Sequence, residues 1–223
     1  MNDPDIRKLL IPHLVKQFPE GRIIQEACTG RCIIDLLLVD SCLHGYEIKS
    51  DVDNLLRLPA QSKEYSETCR YLTLVAGEKH ISEAMKIVPE WWGITLVKNG
   101  LVTVREPREN PQADPLALGF LMWRINLFQA LEKRGLEKGL RYATKPKLLQ
   151  KLIDNFTVAE IESEVCRVLK RRRYIDKGTE VIDCWSIPDT ATHATASTPN
   201  ASVISASEND CFIHSGLTVS TGR

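Results

Sequence analysis

The fold of this chain is decided by residues 32–49, which read CIIDLLLVDSCLHGYEIK. Residues 32–39 form an almost continuous apolar run, which is typical of a strand buried on both faces. Residues 40–42 form a segment that is short and polar, as expected for a turn, and residues 43–49 are predicted to form the next strand. The stretch therefore predicts an antiparallel hairpin in the middle of a sheet.

The hairpin places three charged side chains together. If residues 40–42 form a three-residue loop, counting outward along the two strands sets Asp35 opposite Glu47. Lys49 lies two residues beyond Glu47 and shares its face, because side chains alternate along a strand. A charge in a buried strand is costly unless it is paired or binds a metal. This cluster is therefore the first candidate for a functional site.

The flanking sequence predicts a mixed α/β domain. Apolar residues recur at helical spacing over residues 6–18, where Pro12 predicts a kink or a late start. The dipeptide Asn99-Gly100 predicts a second hairpin. Further strands are predicted at residues 22–28, 71–76, 92–97 and 101–105, and helices at about 53–70 and 82–88. We therefore expect a restriction-endonuclease-like mixed sheet flanked by helices over residues 1–110.

The second half of the chain changes character. Helices are predicted at about 116–134, 146–154 and 158–173, the last opened by a capping box of Thr157 and Glu160. We expect these to form a basic helical region over residues 115–178. Seventeen of the 35 residues from Asp189 onward are Ser, Thr or Ala, which predicts a disordered tail over residues 186–223.

Charge is distributed unevenly along a chain that is neutral overall. Residues 120–178 carry 14 basic and 7 acidic side chains, a net charge of +7, whereas residues 1–119 carry −3 and residues 179–223 carry −4. The middle segment could therefore bind a polyanion. The sequence has no apolar stretch of membrane-spanning length and no positively charged leader, so we expect a cytoplasmic protein with no membrane partner.

Two neighbouring carboxylates raise each other's pKa because their negative charges repel, and a divalent cation between them would remove this repulsion. Oxygen ligands favour Mg²⁺ or Mn²⁺, with the backbone carbonyl of Ile48 as a further ligand beside Asp35 and Glu47. Lys49 could then act on a metal-bound water or on a phosphate. The alternative is a structural cluster in which Lys49 simply neutralises two acids.

The order of these residues resembles the PD-(D/E)XK nuclease superfamily, which has an Asp on one strand and Glu-x-Lys on the next. The surrounding residues are similar to a small bacterial and phage family of predicted nucleases catalogued under an "sce" locus-tag name. The residues that carry the second resemblance are the runs 45–51, 89–93, 121–124 and 168–171 together with Asp53, Arg57, Leu58, Gln61 and Tyr65.

The resemblance implies a metal-dependent nuclease that hydrolyses phosphodiester bonds, with DNA as the expected substrate. It makes Asp35 and Glu47 metal ligands and Lys49 the catalytic lysine. Glu26 is the candidate for a further acidic ligand, against the alternative of an ordinary exposed strand residue. Gln61 and Tyr65, four residues apart on one helix face, are implied at the catalytic site.

Nucleic acid is the expected partner. The run Lys170-Arg171-Arg172-Arg173 predicts contacts to the DNA backbone, with a charged helix end as the alternative. Arg57, one turn before Gln61, could hold a phosphate unless the helix begins only at Pro59. Two other hypotheses remain open, a non-catalytic nucleic-acid-binding module and a protein-interaction module. Homodimerisation through the helical region is a further expectation.

Overall fold

The computed structural model describes residues 1–30, 32–172 and 179–187. Within them, seven strands form one mixed sheet in the order β6-β5-β4-β3-β2-β1-β7. The strands are β1 (Arg22–Cys28), β2 (Ile33–Val39), β3 (Leu43–Lys49), β4 (Tyr71–Gly77), β5 (Gly93–Val97), β6 (Leu101–Arg105) and β7 (Val181–Asp183). The helices are α1 (Asp3–Gln17), α2 (Leu58–Ser66), α3 (Glu78–Ile87), α4 (Pro115–Phe120), α5 (Arg124–Glu132), α6 (Lys145–Ile153) and α7 (Val158–Arg171). The predicted class, a mixed sheet flanked by helices, is confirmed.

The central hairpin has the predicted register. β2 and β3 are antiparallel, with Val39 paired to Leu43 and the ladder ending at Leu36 and Tyr46. β3 then pairs in parallel with β4, and β4 with β5. Because parallel neighbours require helical crossovers, α2 and α3 lie between these strands in the chain.

Helices cover the two faces of the sheet unequally. On one face α1 packs Ile6, Leu10 and Leu14 against a small cluster that includes Leu36 and Leu38 of β2. On the other face a larger cluster joins β2, β3 and β4 to α2, α3 and the helices of the second half. β2 is therefore buried from both sides, as its apolar run predicted.

Several boundaries differ from the predictions. α1 runs through Pro12 without a late start. α2 begins at Leu58 with Pro59 in its first turn, so the helix predicted from residue 53 is shorter. The helix predicted over 116–134 is two helices, α4 and α5. The capping box of Thr157 and Glu160 is confirmed, since the Thr157 side chain accepts from Glu160 N.

β7 was not predicted. This three-residue strand pairs with β1, with Ile23 opposite Ile182. The Ser, Thr and Ala-rich tail predicted from residue 186 lies almost entirely outside the described residues, and the division at residues 110 and 115 stays a prediction. No helix among the described residues has both the length and the apolar character needed to cross a bilayer.

Candidate cation site and polar network

The three charged residues of the hairpin lie together at the end of the β2–β3 ladder. Asp35 lies one residue beyond Leu36, the β2 residue of the outermost ladder pair. Its Oδ2 accepts the backbone N–H of Ile48 at 2.6 Å, so a side-chain carboxylate replaces a backbone acceptor just beyond the ladder. Glu47 and Lys49 extend from β3 on the same face, and the Lys49 Nζ donates to Glu47 Oε1 at 2.5 Å.

A chain of hydrogen bonds connects this cluster to α2. Lys49 Nζ also donates to Oε1 of Gln61 at 3.2 Å. The Gln61 Nε2 donates to the Tyr65 hydroxyl at 3.2 Å, and that hydroxyl donates to the carbonyl oxygen of Ile33 at 2.6 Å. Gln61 and Tyr65 share a helix face, as predicted, and the network ties that face back to β2.

Burial leaves one carboxylate oxygen unsatisfied. The Glu47 side chain is 1% exposed, and its Oε2 has no hydrogen-bond partner among the described residues. Burial raises the pKa of Glu47, against the opposing effect of Lys49. Burial and the neighbouring charge of Glu47 also raise the pKa of Asp35 to about 7. Asp35 therefore exchanges its proton near neutral pH, and a cation bound beside the two carboxylates would favour the ionised form.

The residues fit a hard cation as a two-carboxylate site. Mg²⁺ is commonly held by one or two carboxylates with water completing its coordination, and the unpartnered Oε2 of Glu47 supplies a free acceptor. The described residues contain no group of three or more His, Cys, Asp or Glu side chains arranged for a metal. The carbonyl of Ile48 stays a predicted ligand.

Glu26 is separated from Asp35 by an arginine that the sequence analysis missed. The Glu26 side chain is 52% exposed and accepts from Nη2 of Arg7 at 2.5 Å. Arg7, on α1, also donates to the backbone carbonyl of Asp35 at 3.1 Å, and its Nη2 lies 3.6 Å from Asp35 Oδ1. Glu26 also has φ +51°, a left-handed conformation that is uncommon for a residue other than glycine. Only the Asp3–Arg7 spacing within one helix hinted at this ion-pair network.

The predicted nucleic-acid contacts are scattered. Lys170 pairs with Asp40 at 3.1 Å, and Arg172 donates to the Leu121 carbonyl with its guanidinium 4.3 Å from the Trp123 ring centroid. Arg171 is exposed at the end of α7, and Arg173 lies outside the described residues. Arg57 is exposed and precedes α2, while Asp53 accepts from Ser50 N at 2.7 Å. Asp53 and Arg57 therefore lie outside the helix face that carries Gln61 and Tyr65, because α2 begins only at Leu58.

A groove on the helical half was also missed. It has a volume of about 560 Å³ and is lined by Arg124, Ile125, Phe128, Arg141 and Tyr142. The Arg141-Tyr142 pair between Gly139 and Pro146 was the sequence signal that could have found it.

Comparison with known proteins changes the assignment. A family model described as "Bacteriophage P4 protein cII" matches residues 1–190. The curated "Protein cII" of Enterobacteria phage P4 is 28% identical over 109 residues, which cover 47% of this chain and 41% of that protein. The match thus spans about two-fifths of the relative's length. No solved structure matches the chain.

These matches overturn the nuclease interpretation. The resemblance to the PD-(D/E)XK superfamily, and with it the prediction of a nuclease or other hydrolase, was wrong, because the family model covers the whole α/β core and is not a nuclease family. The motif was misleading because it consists of only three residues. Their spacing on a hairpin does not identify the family of a whole chain. Placement of the cluster was predicted correctly, but the activity attached to it was not. The chain belongs to the bacteriophage P4 protein cII family.

Proposed function

We propose that the protein is a non-catalytic regulatory phage protein that binds DNA through its helical half. The observation that carries this proposal is the excess of positive charge on that half. Residues 120–153 contain eight basic and two acidic side chains, a net charge of +6. A cationic surface of this kind attracts a polyanion irrespective of the neutral total charge.

Part of that charge is already used within the protein. Lys133 pairs with Glu164 at 2.8 Å, and Arg134 pairs with Glu160 at 2.5 Å. These pairs connect the end of α5 and the residues after it to α7. Their contribution to DNA binding is therefore expected to be small.

Other basic side chains remain available. Arg141 and Lys147 are exposed, and within the described part of the chain neither forms an ion pair with a carboxylate. Arg141 lines the groove, and Lys147 lies in the first turn of α6, just after the loop that carries Arg141. We therefore assign the main DNA contacts to this surface, with the exposed Arg171 at the end of α7 as a secondary contact.

The test is DNA binding at several salt concentrations. Fluorescence anisotropy with a labelled oligonucleotide should show affinity falling steeply between 50 and 200 mM salt, as counterion release requires. Arg141→Gln and Lys147→Gln should each lower the affinity and reduce the salt slope by about one. Lys16→Gln, at an exposed position on α1, is the matched control and should leave both unchanged.

The oligonucleotide should be recovered intact after incubation with Mg²⁺. An affinity that is independent of salt, or equal losses in the groove variants and the Lys16 control, would contradict the proposal. We also propose that the protein acts in the cytoplasm, where phage DNA is accessible, and cell fractionation would check this.

We further propose that Asp35 and Glu47 bind Mg²⁺ or Mn²⁺ in a structural role. The support is the buried, unpartnered Oε2 of Glu47 together with the raised pKa of Asp35. A bound cation would neutralise the pair and stabilise the end of the central hairpin. Metal-dependent stability tests this role directly.

A further inference from the structure

The groove on the helical half is bounded by a loop that the Arg124 side chain holds in place. The Arg124 Nε donates to the carbonyl of Ala143 at 2.9 Å, and the same guanidinium donates to the carbonyl of Arg141. These bonds fix the loop of residues 139–143 against the start of α5. The shape of the groove is therefore built into the fold.

Its lining combines apolar surface with positive charge. Phe128 is half-buried and packs against the main core cluster, while the Ile125 side chain is 49% exposed. Tyr142 is 89% exposed, and the Arg141 guanidinium carbon lies 5.9 Å from its ring centroid. An aromatic ring so exposed gains little from packing within the protein, so its free face is available for a ligand.

We infer that this groove binds an unpaired nucleotide of a single-stranded nucleic acid. The Tyr142 ring offers a stacking surface for a base, and Arg141 lies beside it to contact the adjoining phosphate. The two arginines that line the groove, Arg124 and Arg141, give it a positive charge that complements the strand. In a duplex both faces of each base are already stacked on its neighbours, so only an unpaired base can insert against Tyr142.

This inference rests on the proposed function and specifies its substrate. It predicts that the protein prefers single-stranded over duplex DNA of the same length and that Tyr142 supplies the preference. Arg124 is a positioning residue in this arrangement, since its guanidinium holds the loop that carries Tyr142.

The experiment measures anisotropy with a labelled thymidine oligonucleotide and with a duplex of equal length, using the full chain. Tyr142→Ala should weaken single-strand binding about tenfold or more and leave duplex binding unchanged. Tyr142→Phe keeps the ring and should retain the wild-type affinity. Trp185→Ala, at an aromatic position that is 46% exposed and outside the groove, is the matched control and should change neither affinity.

The outcomes separate the two proposals. If Tyr142→Ala weakens both DNA forms equally, or if duplex is preferred, the stacking inference is overturned while DNA binding stands. If neither DNA form is bound at low salt, both proposals fail. If polyglutamate displaces the single strand as effectively as unlabelled DNA, the groove accepts an acidic polypeptide and the nucleotide inference is overturned.

Discussion

Glu162 of α7 and Arg70, the residue before β4, form an ion pair that joins the helical half to the sheet. The Glu162 Oε2 accepts from Nε of Arg70 at 2.7 Å, and its Oε1 accepts the backbone N–H of Leu43 at 3.1 Å. Glu162 is 4% exposed. One carboxylate thus satisfies donors at the start of two neighbouring strands.

Removing that carboxylate should destabilise the protein strongly. Glu162→Ala leaves the Leu43 N–H without its acceptor and Arg70 without its buried partner, and we expect a loss of about 2–4 kcal/mol in the free energy of unfolding. Urea denaturation measures this loss. Glu164→Ala on the same helix is the control, because its pairs with Lys133 and Arg167 lie near the surface and should contribute less than about 1 kcal/mol. Equal effects of the two substitutions would refute this interpretation of Glu162.

The pH dependence of stability should identify Asp35. Burial and the charge of Glu47 raise its pKa to about 7 in the folded protein, so the folded state binds a proton that the unfolded state releases near pH 4. Its contribution to stability is complete below pH 4 and is lost as the pH rises through 7. Asp35→Asn should therefore be more stable than the wild type at pH 8 and equal to it below pH 4.

The matched control for that experiment is Asp53→Asn, which should behave in the opposite sense. Although partial burial acts to raise the pKa of Asp53, its hydrogen bonds with Ser50 lower the pKa below its usual value. The stability that Asp53 contributes is present above pH 4 and is lost as the pH falls. Urea melts at pH 3.5, 5 and 8 would separate the two residues, and an Asp35→Asn protein less stable than wild type at pH 8 would exclude the raised pKa.

A divalent cation should stabilise the wild-type protein through Asp35 and Glu47. Ligand binding to the folded state alone contributes about 2.7 kcal/mol at a hundredfold excess over Kd, which corresponds to several degrees in Tm. The rise in Tm with Mn²⁺ or Mg²⁺ should increase as the pH passes 7, because below that pH the cation must displace the proton of Asp35. Glu47→Gln should abolish the rise, whereas Glu26→Gln should preserve it because Glu26 pairs with Arg7. A Tm insensitive to both metals would eliminate the cation site.

Gly45 is required where the central hairpin meets the helical layer. A Cβ at this position would lie 2.4 Å from Cδ1 of Ile34 and 2.5 Å from Cδ2 of Leu72. Gly45→Ala should therefore destabilise the protein by about 1–3 kcal/mol through overpacking. Adding Ile34→Val removes one clashing methyl group and should recover part of the loss in thermal unfolding experiments. A double variant less stable than the sum of the single effects would argue against a steric cause.

Local patterns predicted the parts of the fold that depend on neighbouring residues. The alternation and loop length of residues 32–49 were sufficient for the register of β2 and β3, and with it the meeting of Asp35, Glu47 and Lys49. The break between α4 and α5 was missed because residues 116–134 keep helical periodicity across it. β7 was missed because three residues are too short for a periodic signal, and its pairing with β1 spans about 160 positions of the chain.

The candidate site was predicted only as far as its own hairpin and α2. Arg7 reaches Glu26 and Asp35 from a helix packed on the opposite face of the sheet, and no local spacing relates it to them. The groove depends on Arg124 holding a loop about 17 residues away in the chain. Function was less predictable still, because one arrangement of side chains can occur in proteins with different activities.

The position of β7 has a practical consequence for anyone who shortens this chain. A protein ending at residue 172 would leave the hydrogen-bonding edge of β1 open, with Ile23 and Ile24 no longer paired to Ile182 and Val181. Open strand edges recruit other strands, and the cut also removes Ile182 and Cys184 from the cluster that α1 covers, so such a fragment is expected to self-associate or precipitate. The shortest well-behaved fragment should therefore extend at least through residue 187, and cutting back to 172 should cost monodispersity.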